Sequence, residues 1–251
     1  KKNRYFLYQK YQVIGGFCQD LQSVFFLPRW GMQKGNIYLI ESPSRQDLAE
    51  TFMRFQEFYE SPVFAGKSFS VAEFASWYTM EYGSFSYARD WSGFNIPSWV
   101  TEPFRNGNFD PLTEKEKKLL EVLKGTSGRD YIIGVTPQDE WYKDTIRHEF
   151  VHGCFFTNSE YRKTVDSFIK DQNPEAIKKA LTLMGYGKDV LNDETNAYLL
   201  TEPQTLGYYV SLGDGVRLRD KLDSFFQKYF GFSMVKTSAD TLVKRVERFS
   251  I

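Results

Sequence analysis

"TIRHEFVHGCFF", residues 145–156, holds both histidines of the chain. Positions four apart on an α-helix lie one turn apart on one face, so His148 and His152 can turn ring nitrogens toward a single ion. Glu149 follows at about 100° around the helix, too far to join the two rings comfortably but well placed to touch a water beside the ion. The stretch reads His-Glu-x-x-His, in which two imidazoles hold Zn²⁺ and the glutamate serves as general base. The bland alternative is two ordinary histidines on a half-buried helix. Phe150, Val151, Phe155 and Phe156 argue against it. They give the helix an apolar body, so a polar face inside the core needs a purpose that offsets its desolvation.

A zinc that activates water takes three protein ligands and keeps one position open. No histidine is left, and Cys154 is too close along the helix to wrap back, so a carboxylate is expected. "VLNDETNAYLLTEP", residues 190–203, supplies the best candidate. There Glu194 falls on a predicted helix whose buried side is marked by Leu191, Ala197, Tyr198 and Leu199. Its separation from His152, 194 − 152 = 42 positions, leaves room for two helices to return the chain. Asp193 and Glu202 compete for the same role.

The flanking sequence sets these pieces in an α+β frame. "DYIIGV", residues 130–135, is a predicted strand, and Thr136, with Pro137 at the first helical position and Asp139 at the third, is expected to launch the histidine helix. Further helices are predicted from Thr157 with Glu160, from Asn173-Pro174, over about 190–201 with a stop at Glu202-Pro203, and over 216–229 and 239–249. Upstream, "YQVIGG", "SVFFLP" and "NIYLIES" read as strands of a meander. Ser44 with Asp47, Ser70 with Glu73, and Thr113 with Glu116 are capping patterns for three helices, ending at Ser61-Pro62, about Tyr82 and Gly125. Residues 84–109 are too rich in Gly, Pro, Asn and Ser for regular structure, yet their aromatic residues suit an ordered loop packed on the body. The division expected is a mixed α/β region of unknown role over 1–125 and a mostly helical region bearing the site over 126–251, able to pack as one compact unit.

Composition narrows the class. With 251 residues, 41% of them hydrophobic, the chain can bury a sizeable core. Its 32 basic and 32 acidic residues cancel, so no electrostatic footprint for nucleic acid or an anionic membrane surface is present. No apolar run approaches the roughly 18–20 residues of a membrane span. Two cysteines, Cys18 and Cys154, make no disulfide framework; they read as reduced buried thiols and lean toward a cytoplasmic, reducing compartment. The 23 Phe and 16 Tyr read as an aromatic-rich core, with an aromatic-lined carbohydrate or peptide groove as the alternative.

At residues 130–210 the sequence resembles the gluzincins, zinc metallopeptidases with His-Glu-x-x-His on one helix and a ligating Glu on a later one. The resemblance implies a zincin-like fold for this region, with His148, His152 and Glu194 as Zn²⁺ ligands, Glu149 as base and a peptide or protein as substrate. No third histidine follows, unlike the metzincins. Tyr198 stands where thermolysin-like and neprilysin-like enzymes carry an Asp, so the partner orienting His148 is expected to be the Tyr198 hydroxyl, Asp193 or another carboxylate. Tyr186 resembles the Tyr that precedes the ligating Glu in lethal-factor-like gluzincins and is the candidate oxyanion donor, with Tyr208 and Tyr209 as alternatives. The resemblance also implies that a strand beside the active-site helix pairs with substrate; residues 131–135 are either that edge strand or an interior one. Two other classes compete: an inactive peptidase-like binding module that keeps the metal for stability, and another zinc hydrolase such as a deformylase. The first has no need of Glu149. The second takes a Cys ligand, and Cys18 lacks that family's surroundings.

Overall fold

The computed structural model describes residues 37–211 and 215–251. They form the expected α+β architecture: a small mixed sheet between two helical layers. β1 (Ile37–Glu41), β2 (Gly93–Pro97), β3 (Tyr131–Val135) and β4 (Glu247–Ser250) run in the order β2-β3-β1-β4. β1 is parallel to β3 and β4, whereas β2 is antiparallel to β3 with Asn95 opposite Ile133. "NIYLIES" therefore gives a strand whose partners lie far along the chain and not a meander. "YQVIGG", "SVFFLP" and Cys18 lie outside the described residues.

Strand alternation sorts the side chains into two cores. Ile37, Leu39, Tyr131, Ile133 and Val135 face one layer; Ile40, Ile132, Phe94 and Ile96 face the other. The second layer is built on α1 (Arg45–Glu60), whose Leu48, Phe52 and Phe55 are fully buried. Ser44 caps it by accepting from the Asp47 backbone N–H, as its sequence predicts. α2 (Val71–Tyr82) and α5 (Glu114–Val122) both begin with complete capping boxes at Ser70/Glu73 and Thr113/Glu116. Gly134 lets α1 close on the sheet, because a Cβ there would meet the Phe52 ring at 2.6 Å.

Between α2 and α5 the stretch expected to be irregular contains α3 (Tyr87–Asp90), β2, a 3-10 turn (Ser98–Thr101) and α4 (Glu102–Arg105). β2 is a correction to the sequence reading. Its Gly93 and Pro97 ends look like loop, and only pairing with β3 makes it a strand. Pro97 is tolerated because β2 lies at the sheet edge among the described residues. β3 is an interior strand, so residues 131–135 are not the edge.

The other layer is helical. α6 (Tyr142–Thr157) carries the histidines, followed by α7 (Ser159–Gln172), α8 (Glu175–Leu183), α9 (Leu191–Thr201), α10 (Pro203–Leu206), α11 (Gly215–Phe230) and α12 (Ala239–Val243). α6 starts at Tyr142 and not at Pro137. Asp139 is drawn into a turn instead, pairing with Arg45 and accepting from the Trp141 backbone N–H at 2.8 Å. Asn158, not Thr157, caps α7 by accepting from Tyr161 N–H at 2.9 Å. Residues 239–249 are not one helix: α12 stops at Val243, and 247–250 form β4 because β1 offers an edge to pair with. Gly153 lets α6 rest on the sheet, since a Cβ there would meet Ile37 Cδ1 at 2.9 Å and the Tyr131 ring at 3.1 Å. Cys154 is a free, buried thiol. Among the described residues no helix is long and apolar enough to cross a membrane.

Candidate metal centre

α6 and α9 pack against each other, and their facing turns bring together His148, His152 and Glu194. All three are buried, at 4, 7 and 7% exposure. The two Nε2 atoms are 3.0 Å apart. Glu194 Oε2 lies 3.6 Å from His148 Nε2, and its Oε1 lies 3.6 Å from His152 Nε2. Metal bonds of roughly 2.0–2.2 Å at tetrahedral angles put donor atoms about 3.3–3.6 Å apart, close to these separations. Glu194 Oε2 is buried, makes no hydrogen bond among the described residues and faces His148 Nε2 at 3.6 Å, a gap that an ion would fill. The cluster could hold a metal ion, and two imidazoles with a carboxylate form a donor set that zinc accepts.

The outer ring nitrogens face carboxylates. His148 Nδ1 is in ion-pair contact with Glu202 Oε1 at 3.1 Å, and His152 Nδ1 with Asp193 Oδ2 at 2.9 Å. These contacts turn both Nε2 atoms inward, as outer partners of metal-binding histidines do. The Tyr198 hydroxyl does not orient His148. Its ring packs edge-on against that imidazole, centroids 4.8 Å apart, while its hydroxyl meets Tyr186 Oη at 2.9 Å. Glu202 and Asp193, which competed with Glu194 as ligands, thus stand one shell further out.

The surrounding charge favours a cation. Burial alone would depress both histidines, but Glu194 and Glu202 lift His148 to about 9. Asp193, Glu194 and Glu149 lift His152 to about 10 against the same penalty. The surrounding carboxylates thus favour positive charge at this place, and one divalent cation between neutral imidazoles would supply it.

Glu149 is buried on the neighbouring face of α6 and is held from the sheet. Asn95 Nδ2 donates to its Oε2 at 2.6 Å, and Tyr131 Oη donates to Asn95 Oδ1 at 2.7 Å. The Tyr131 bond fixes which end of the amide faces the glutamate. Strand alternation explains the placement: Phe94 and Ile96 fill the α1 core, so Asn95 between them points to α6.

Beside the cluster lies a cavity of about 110 Å³. Tyr186, 6% exposed, lines it together with Asn95, Tyr131 and Glu60. Tyr208, 75% exposed, does not line it. Three participants escaped the sequence reading. Asn95 sits in "GFNIP", whose alternation of Phe and Ile around a polar residue was the available strand signal. Tyr131 is one aromatic among many. Glu60 reads as an ordinary solvated carboxylate at a helix end.

Compared with known proteins, the chain matches no family model, no curated relative and no solved structure, so the reading of this centre rests on its own geometry.

Proposed function

We propose that the chain is a zinc-dependent peptidase of the gluzincin type, built on a zincin-like fold, that hydrolyses peptide bonds. The observation that carries the reading is the convergence of His148, His152 and Glu194 beside a buried glutamate that Asn95 holds in place. A purely structural metal site has no use for that glutamate. Zinc, when bound, supplies Lewis acidity that activates a water and polarises a carbonyl.

The chain's own residues do the rest. Glu149 takes the proton of the attacking water and passes it to the leaving amine. Asn95, fixed by Tyr131, keeps that carboxylate from rotating. Glu202 and Asp193 hold the two imidazoles in the orientation that presents Nε2. Tyr186 is the proposed donor to the developing oxyanion, delivered from the cavity wall. β2, at the sheet edge on the Asn95 side, takes the role considered for residues 131–135: an extended peptide laid along it gains backbone hydrogen bonds without sequence choice.

The test is metal analysis together with digestion of a peptide library by wild type and Glu149→Ala. One zinc in both chains and cleavage by wild type alone are expected. Equal cleavage by the variant removes Glu149 from the mechanism, and a zinc-loaded wild type that cleaves nothing removes the peptidase.

A further inference from the structure

The cavity beside the metal cluster has a chemistry that the ligands and the base do not account for. Its walls combine rings, among them Tyr59, Trp91 and Tyr186, with the carboxylates Glu60, Asp193 and Glu194. No Lys or Arg is among its described lining residues. Asp193 is engaged by His152 and Glu194 faces both rings, which leaves Glu60 without an assigned task.

Glu60 is placed where a negative charge is disfavoured. It is the last residue of α1, where unpaired carbonyls already present partial negative charge, and the last turn of that helix holds no basic residue. Its Oε1 accepts from Gln56 Nε2 at 2.6 Å, a neutral donor that brings no positive charge of its own. Burial pushes its carboxyl up to about 7 in spite of that bond; the nearby Glu149 and Glu194 add to the rise, and His152 opposes it. A carboxylate so placed gains most from a cation arriving in the cavity, and the rings around it are surfaces that attract ammonium groups.

We propose that Glu60 is a specificity-determining residue that binds a primary ammonium group of the substrate next to the scissile carbonyl. The identity of that ligand as a substrate rests on the peptidase reading. The cavity of about 110 Å³ has the room of roughly four water molecules. That accommodates an ammonium with a short methylene stem and not a large side chain. The ammonium can come from a free amino terminus or from a lysine side chain beside the bond cut.

The experiment is calorimetric titration of the zinc-loaded chain with three hydroxamates: leucine hydroxamate, its N-acetyl form, and Nα-acetyl-lysine hydroxamate. A free-terminus preference appears as leucine hydroxamate binding roughly tenfold or more tighter than its acetylated form; a lysine preference appears as the same advantage for the acetyl-lysine compound over acetyl-leucine. Glu60→Gln should bring the favoured ratio close to one, with zinc content and acetyl-leucine affinity unchanged. Glu60→Asp, which keeps the charge, should retain part of it. Equal binding of all three compounds by wild type, no binding of any, or an undiminished ratio in Glu60→Gln overturns the proposal. The wild-type comparison decides even if a variant fails to fold. A chain that shows the Glu60-dependent ratio yet cleaves no peptide loses the peptidase and keeps the amine site. One that cleaves free, blocked and lysine-containing peptides alike, with or without Glu60, keeps the peptidase and loses the amine site.

Discussion

The sheet separates two sets of buried acids that the molecule treats in opposite ways. In the α1 layer, Glu116 is clasped by Arg54, whose Nε donates at 2.7 Å and whose other nitrogens reach the carbonyls of Phe109, Phe69 and Pro111. Glu116 also accepts from Thr113 N–H at 2.7 Å. Glu57 in the same layer has no cation in contact among the described residues; burial pushes it up to about 8, so at neutral pH it is mostly protonated while accepting from the Tyr87 hydroxyl at 2.8 Å. There the chain settles its own charges, by an arginine in one case and a proton in the other. In the α6 layer, Glu194 and Asp193 surround two histidines, and no lysine or arginine is among the described residues lining the adjoining cavity. Buried acids gathered on imidazoles, and not on an arginine or a proton, single out this layer as the one proposed to take a metal ion.

The comparison can be broken most decisively at the metal ligand. Glu194→Ala should lose zinc altogether, measured as metal per chain after dialysis. Glu202→Ala should keep it with an affinity lower by roughly 10–100-fold, the usual cost of an outer partner. The reverse pattern reassigns the ligand. On the other side, Arg54→Ala leaves Glu116 buried without its cation. The expected loss is on the order of 3–5 kcal/mol in denaturant unfolding, and a loss near zero would mean that Glu116 is not balanced by this pair.

Two smaller effects sharpen the contrast. Glu57 is ionised in the unfolded chain above the ordinary carboxyl range but stays protonated in the fold up to about 8. The fold therefore binds one proton more across that window, and the Glu57 contribution to stability falls as pH rises from about 4.5 to about 8. Glu57→Gln should remove that slope and gain on the order of 1–3 kcal/mol over wild type at pH 8, with little difference at pH 4.5. Both chains should be unfolded with metal removed, and parallel pH curves would show that Glu57 is ionised in the fold. Finally, Asn95→Ala should keep its zinc and lower kcat by roughly 10-fold with KM little changed, because the amide positions the base and binds no metal. Loss of zinc in that variant would make Asn95 part of the metal's support instead.

What the sequence discloses follows the range of the interaction. The caps at Ser44, Ser70 and Thr113 are local bonds within four residues, and each is present. The pairing of His148 with His152 is one helical turn. Glu194 was reachable across 42 positions, 194 − 152, because its helix carries a legible buried side. β2 and β4 were not, because strands of five and four residues are defined by distant partners, Tyr131–Val135 and Ile37–Glu41. The early start assigned to α6 failed for the same reason: Asp139 serves Arg45, 94 positions away, and not a helix terminus. Nothing local distinguishes Glu60 from a surface acid; only the cavity it lines does.

The missing side chain at position 153 has an effect beyond the close seating of a helix. Tyr131 meets that bare backbone with its ring and, through its phenol oxygen, steadies Asn95, which in turn grips Glu149. A single methyl introduced there would press on the ring and be felt by leverage through Asn95 at the carboxylate proposed as base, without touching any atom of the candidate metal cluster.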